Sequence, residues 1–190
     1  MLKRKVAQAI SLLTAPQLYG GFIALLIWHK ANLGGFEALF VLILTQTALP
    51  LLPIIIDSGK QKVDIFVSNR EKRWKYYLIS ILSYASGILY SLWRGYWIYA
   101  VLSLSYMLSS AGLAAVTVFA RWKISVHAAG IAGPTTALVL VRGLETSPLY
   151  ILLIPVAWAR LELKAHDLRQ LIAGALLAFS TTLVVFSLLA

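Results

Sequence analysis

The segment Ala159 to Gly174, ARLELKAHDLRQLIAG, sets an arginine and a histidine six positions apart at the mouth of an apolar run that continues to Ala190. Gln170 follows His166 by four. Two readings fit such residues at the start of an apolar run. One is a basic interfacial loop whose long side chains snorkel to lipid headgroups. The other is a phosphate clamp, Arg160, beside a nucleophile or general base, His166. Either way the segment opens a transmembrane helix, and the rest of the chain is consistent with that placement.

Of 190 residues, 60% are hydrophobic and only 13% charged, where a soluble domain carries roughly 25% charged residues. Mean hydropathy is +0.82. The apolar residues fall in long runs, the transmembrane signature. Trp28, Trp74, Trp93, Trp97, Trp122 and Trp158 stand near run ends, as interfacial anchors do. The composition therefore predicts an all-α, polytopic transmembrane bundle forming one domain over residues 1–190. There is no cysteine, which excludes disulfides and thiolate metal sites. Three histidines with no His/Glu cluster at ligand spacing argue against a tight metal site. The formal charge of +10 lies in the loops between apolar runs, so it points to membrane topology and not to nucleic acid.

The runs predict six to seven spans, at about Val6–Trp28, Gly34–Ile56, Trp74–Trp93, Tyr96–Ala120, Ile124–Val141, Pro148–Ala159 and Leu168–Ala190. Pro50 and Pro53 should loosen the end of the second, where neighbouring helices compensate. The sixth offers about twelve apolar residues, which reach roughly 18 Å against a bilayer core of about 30 Å. Three basic stretches separate the runs: Asp57–Lys75, Lys123–His127 and Arg160–His166. Two spans lie between each and the next, so all three emerge on one side together with the N-terminus. Ionisable residues drawn to membrane depth by short spans are functional candidates.

In the first stretch, Arg70 and Arg73 are three apart and share a face of any helix beginning there, a fork able to bind phosphate oxygens in two planes. Lys60, Lys72 and Lys75 read as a solvated positive loop. In the second, His127 has Ser125 beside it and small residues after it, with Gly130 and Gly133 allowing close backbone approach. A histidine there can donate a proton near neutral pH, although a lone histidine also reads as structural. His29 reads as interfacial.

Taken together the stretches resemble the type 2 phosphatidic acid phosphatase superfamily of membrane phosphatases, in a form like its bacterial and archaeal branch. That family's signature is a lysine and arginine cluster, a Ser-Gly-His stretch and an Arg-x5-His-x3-Asp stretch. Here the third part reads Arg160-x5-His166-x3-Gln170, with Ala173-Gly174 following as expected. The second reads Ser125-Val126-His127, with valine for glycine, and the first is the looser Asn69-Arg70-Glu71-Lys72-Arg73 with Lys62 upstream. The resemblance covers about residues 57–178. It implies a lipid phosphatase that needs no metal or other cofactor. His166 would form a phosphohistidine, and His127 would protonate the departing group. Arg160, Arg70 and Arg73 or Lys62 would hold phosphate oxygens, with Ser125 adding a hydroxyl donor. Gln170 replaces the aspartate that orients the nucleophile. An amide can accept from a ring N–H but cannot stabilise an imidazolium by charge, so Asp167 is a second candidate for that role.

The implied partners are membrane lipids and a lipid phosphate substrate, a phosphatidic acid analogue or a polyprenyl phosphate or diphosphate. The residues leave the tail, the preference between mono- and diphosphate, and the oligomeric state open. A rival expectation is a non-catalytic protein that binds or moves anionic lipids with the same arginines. Fourteen of the 17 lysines and arginines fall on the motif side, leaving Lys30, Arg94 and Arg142 opposite. Such a bias predicts an integral cell-membrane protein whose site opens to the cytoplasm.

Overall fold

A computed structural model describes residues 1–190. The chain is helical throughout, with no strand. Helix α1 spans Leu2–Leu13 and α2 spans Pro16–Ala31. A third apolar segment runs continuously as α3 (Gly35–Ile43), a π-helical turn (Leu44–Ala48) and α4 (Leu49–Gly59). A loop and a 3₁₀ turn, Arg70–Lys72, lead into α5 (Arg73–Trp93). Helices α6 (Trp97–Val118) and α7 (Val126–Arg142) follow. A 3₁₀ segment, Leu144–Leu152, then precedes α8 (Leu153–Glu162) and α9 (Leu168–Leu189).

The helices lie where the apolar runs placed them, but the runs do not convert one for one into spans. Three are long and apolar enough to cross a membrane: Gly35–Gly59, Trp97–Val118 and Leu168–Leu189. The first expected span is instead two helices bent by 44°, which would make a fourth if it crosses as one. The break has a local cause. A residue before proline is driven out of the helical region, and Ala15, ahead of Pro16, is extended at φ −55°, ψ 134°. Helix α5 is long enough but rich in inward-facing serine and tyrosine. Helix α7 has 17 residues. The expected sixth span begins as a 3₁₀ segment and becomes α-helical only from Leu153.

Successive segments run antiparallel, which sorts the connections to two ends. At one end Tyr99 donates to the Leu33 carbonyl and Trp97 to that of Leu189, while Arg94 pairs with Glu37. The other end gathers the three basic stretches and α1. Between them the main apolar core joins Ile23 and Ile27 of α2, Leu102 of α6, Ile131 and Leu138 of α7, and Val156 of α8. A smaller cluster of Tyr77, Leu113, Ile124, Ala129 and Ala178 lies beneath the basic end.

The start of α9 docks directly on the segment entering α7. The Ser125 N–H donates to the Gln170 carbonyl at 3.1 Å. Gly174 faces Ser125 so closely that a Cβ there would stand 2.3 Å from the Ser125 carbonyl oxygen. Because the opposing atom is backbone, no side chain can swing aside to make room. Gly174→Ala is therefore expected to destabilise the fold by about 1–3 kcal/mol, as overpacking does. Thermal unfolding in detergent measures this, and an unchanged midpoint would refute the docking.

Candidate functional site

Four loops and helix ends meet at the basic end. His166 lies in the connection between α8 and α9 and is buried. Its Nδ1 sits 3.0 Å from the Lys123 carbonyl oxygen and 3.0 Å from Oε1 of Gln170. The Lys123 carbonyl can only accept, so Nδ1 carries the proton and Nε2 keeps its lone pair. Nε2 is buried and has no hydrogen-bond partner. Burial, and after it the charges of Arg73 and Arg160, push the His166 pKa down to about 4. The imidazole is thus a neutral base whose second nitrogen is buried and unpartnered.

Gln170 reaches this position through a capping box. Asp167 is the N-cap of α9 and accepts from the Gln170 N–H at 2.8 Å, while Gln170 Oε1 accepts from the Asp167 N–H at 3.3 Å. Asp167 is therefore occupied at the helix terminus, and Gln170, not Asp167, contacts the imidazole.

Arg160, in the last turn of α8, is 1% exposed, and its Nε and Nη1 have no acceptor. Its guanidinium carbon lies 5.1 Å from the centre of the Phe66 ring, which in turn meets His127 edge-on at 6.0 Å. Arg73, the first residue of α5, is buried and donates from Nε to the Val67 carbonyl and from Nη1 to the Ile124 carbonyl. Both bonds aim its guanidinium under the site. The Lys123 pKa is lowered by burial, then by Arg73 and Arg160. None of these three cations has a carboxylate within salt-bridge distance; the two ion pairs of the molecule are Lys75–Asp57 and Arg94–Glu37. Asp64 lies within electrostatic reach of Arg160 and Lys123, but its oxygens are taken up by the Phe66 N–H and by the N–H and hydroxyl of Ser68.

His127 opens α7. Its Nε2 is 3.1 Å from the Ser11 carbonyl of α1, so Nε2 carries the proton and Nδ1 is left for other work. Arg160 and His166 both act on it electrostatically. It lies with Arg73 and Phe66 at one end of a cavity of about 270 Å³ that extends between the helices.

The structure brings together His166, His127, Gln170, Arg160 and Arg73, and gives Arg70, Lys62 and the Ser125 hydroxyl other settings. Arg70 does not form a fork with Arg73. It lies in the 3₁₀ turn and donates to the Thr117 carbonyl at the end of α6, whereas Arg73 turns to the Val67 and Ile124 carbonyls. Lys62 is exposed and contributes its carbonyl to the Lys72 ammonium. Ser125 is buried as the N-cap of α7, accepting from the Ala128 N–H at 3.3 Å. Sequence reasoning missed Lys123, Phe66 and the Ser11 carbonyl. For Phe66 there was a weak signal, the aspartate-to-serine turn Asp64–Ser68 that presents it; for a backbone carbonyl in α1 there was none.

No group of three or more His, Cys, Asp or Glu side chains lies close enough to hold a metal ion. Comparison of the chain with protein-family models, with curated proteins and with solved structures found no match in any of the three.

Because burial and two arginines favour the neutral ring, the His166 resonance should titrate in NMR with a midpoint near pH 4. Removing a neighbouring cation, as in Arg73→Gln, should raise that midpoint toward the ordinary histidine value of about 6.5. A midpoint already above 6 in the unsubstituted protein would contradict the burial described.

Proposed function

We propose that the protein is an integral membrane phosphatase that removes phosphate from a phosphorylated lipid through a phosphohistidine. One observation carries the reading: a buried guanidinium with two unpartnered donors, Arg160, stands beside a histidine whose Nε2 is free. Burying a cation without a counter-ion costs several kcal/mol, and an anion with several oxygens offsets that cost while meeting the donors. A phosphoryl group has such oxygens, and the nucleophile it needs is already in place.

In this reading Nε2 of His166 attacks phosphorus in line as the bond to the lipid oxygen breaks. Arg160, Arg73 and Lys123 hold the equatorial oxygens, where charge is spread in the transition state. Gln170 and the Lys123 carbonyl keep Nδ1 protonated and the ring in register. His127, protonated at Nδ1 once the anion has bound, gives that proton to the departing oxygen, a step worth about 10²–10⁴-fold. It then takes a proton from the water that attacks phosphorus, the P–N bond breaks, and phosphate leaves. Arg70, Lys62 and Ser125 have no part in this scheme. A headgroup-binding protein without turnover is favoured by the amide at position 170, which supplies no charge to an imidazolium; phosphate release separates the two.

The spans and their orientation belong to the same reading. We take the antiparallel segments to traverse the membrane as one bundle of six to seven spans, with the short ones shielded by the long. With fourteen of 17 basic side chains at the site end, that end faces the cytoplasm. A site there serves lipid synthesis, not recycling of an exported carrier.

Purified protein in detergent, with chelator present, should release phosphate from lipid phosphates, and vanadate should inhibit as a mimic of the in-line transition state. His166→Ala should abolish turnover; retention of more than about 5% would place the nucleophile elsewhere. Gln170→Asp should maintain or raise the rate, because a carboxylate can also stabilise the imidazolium. A large loss would show that the amide itself is required. For orientation, Lys60→Cys in this cysteine-free chain should react with an impermeant thiol reagent only after cells are permeabilised. Labelling of intact cells would reverse the topology.

A further inference from the structure

The third apolar segment has a mean hydropathy of 2.3, yet it carries Thr45-Gln46-Thr47 at its centre, within the π-helical turn. Such turns re-aim side chains and gather at functional positions. Most of the polar groups of this one are satisfied. The Thr45 hydroxyl donates to the Val41 carbonyl, that of Thr47 to the Gln17 carbonyl, and the Thr45 carbonyl accepts from Ser83. Gln46 is different. It is 0% exposed and donates from Nε2 to the Ser103 hydroxyl at 2.8 Å, but Oε1 has no partner. The Ser109 hydroxyl is likewise buried and unpartnered.

Both residues line the cavity that begins at Arg73 and His127. Its wall follows α5 from Arg73 to Tyr84, eleven residues and so roughly 16 Å. Tyr84 and Tyr106, packed edge-on at 5.7 Å, stand on the same wall. Between the two polar ends the lining is apolar, with Leu51, Ile54 and Leu113. A volume of about 270 Å³ is at the small end for ligand cavities and suits one extended chain.

We propose that the Gln46 end of this cavity is a second recognition subsite, which takes a hydroxyl carried on a single lipid chain at a point roughly 16 Å beyond Arg73. The inference rests on the reading that a lipid phosphate lies at Arg160 and His166. The orientation of the Gln46 amide follows from its bond to Ser103, and a serine hydroxyl can serve as donor or acceptor. Whichever amide atom faces the cavity, a hydroxyl satisfies it, since it both donates and accepts. A plain alkyl chain leaves both Gln46 and Ser109 unmet and desolvated, a penalty that discriminates between ligands more sharply than added apolar contact.

The test uses non-hydrolysable probes on the unsubstituted protein in detergent: octadecyl phosphonate, and the same compound with a hydroxyl on the chain carbon that lies roughly 16 Å from phosphorus when the chain is extended. The hydroxylated probe should bind about tenfold more tightly. In Gln46→Leu, which replaces the amide with apolar volume, the preference should vanish and the plain probe should gain affinity. Ser109→Ala should reduce the preference in part, and keeps the test open should Gln46→Leu fail to fold. Equal binding of the two probes, absence of binding by either, or a preference that survives both substitutions would overturn the subsite and leave the cavity end to water. Phosphate release from octadecyl phosphate is read separately. Turnover without hydroxyl preference removes the subsite alone, whereas preference without turnover removes the phosphatase reading alone.

Discussion

The site depends on the contact between the first two turns of α9 and the three residues that lead into α7. The Gln170 carbonyl receives the Ser125 N–H, and Gly174 lets the two backbones meet without a side chain between them. With that spacing fixed, the Lys123 carbonyl and the Gln170 amide come to the same atom of His166. Segments more than forty residues apart in sequence thus define one ring nitrogen. The capping box at Asp167 belongs to the same arrangement, because it starts α9 at the residue that puts Gln170 one turn beyond the histidine.

Around this frame the charges are distributed unevenly. At the far end Arg94 is paired with Glu37, and Tyr90 donates to the same carboxylate. At the site end Arg73, Arg160 and Lys123 are gathered without a counter-ion, and Phe66 lies over Arg160 as the main relief from solvent. The favourable interaction of that ring with a desolvated cation is on the order of 2 kcal/mol, less than the cost of burying the charge. In the proposed reading, the remainder is what an incoming anion would offset.

The helical class, the positions of the helices and the meeting of the three basic stretches were legible in the sequence, because long apolar runs and their parity constrain both. The division of those runs into helices was not. Hydropathy saw Val6–Trp28 as one run, while Pro16 set a bend inside it, and the run before Arg160 concealed a 3₁₀ segment. The arginine and histidine of ARLELKAHDLRQ could be singled out from their spacing, but spacing did not show that both are buried. The pairing of Arg70 with Arg73 was misread because each guanidinium is drawn to different backbone carbonyls, which spacing does not show. The Ser125 hydroxyl, read as a donor to substrate, also accepts from the Ala128 N–H and so caps α7, a second use that residue identity did not show. Contacts to backbone, such as Ser11 to His127, leave no trace in residue identity.

The bond from His127 to the Ser11 carbonyl spans 116 positions and ties the proton-bearing nitrogen of the ring to a short helix whose outer face carries Lys3, Arg4 and Lys5. Whatever moves α1 releases that nitrogen and lets the ring choose between two tautomers. The two ends of the chain are therefore unequal places for a purification handle. A fusion ahead of Leu2 bears on the helix that orients His127. One placed after Ala190 leaves from the opposite pole, where Trp97 holds the last turn of α9.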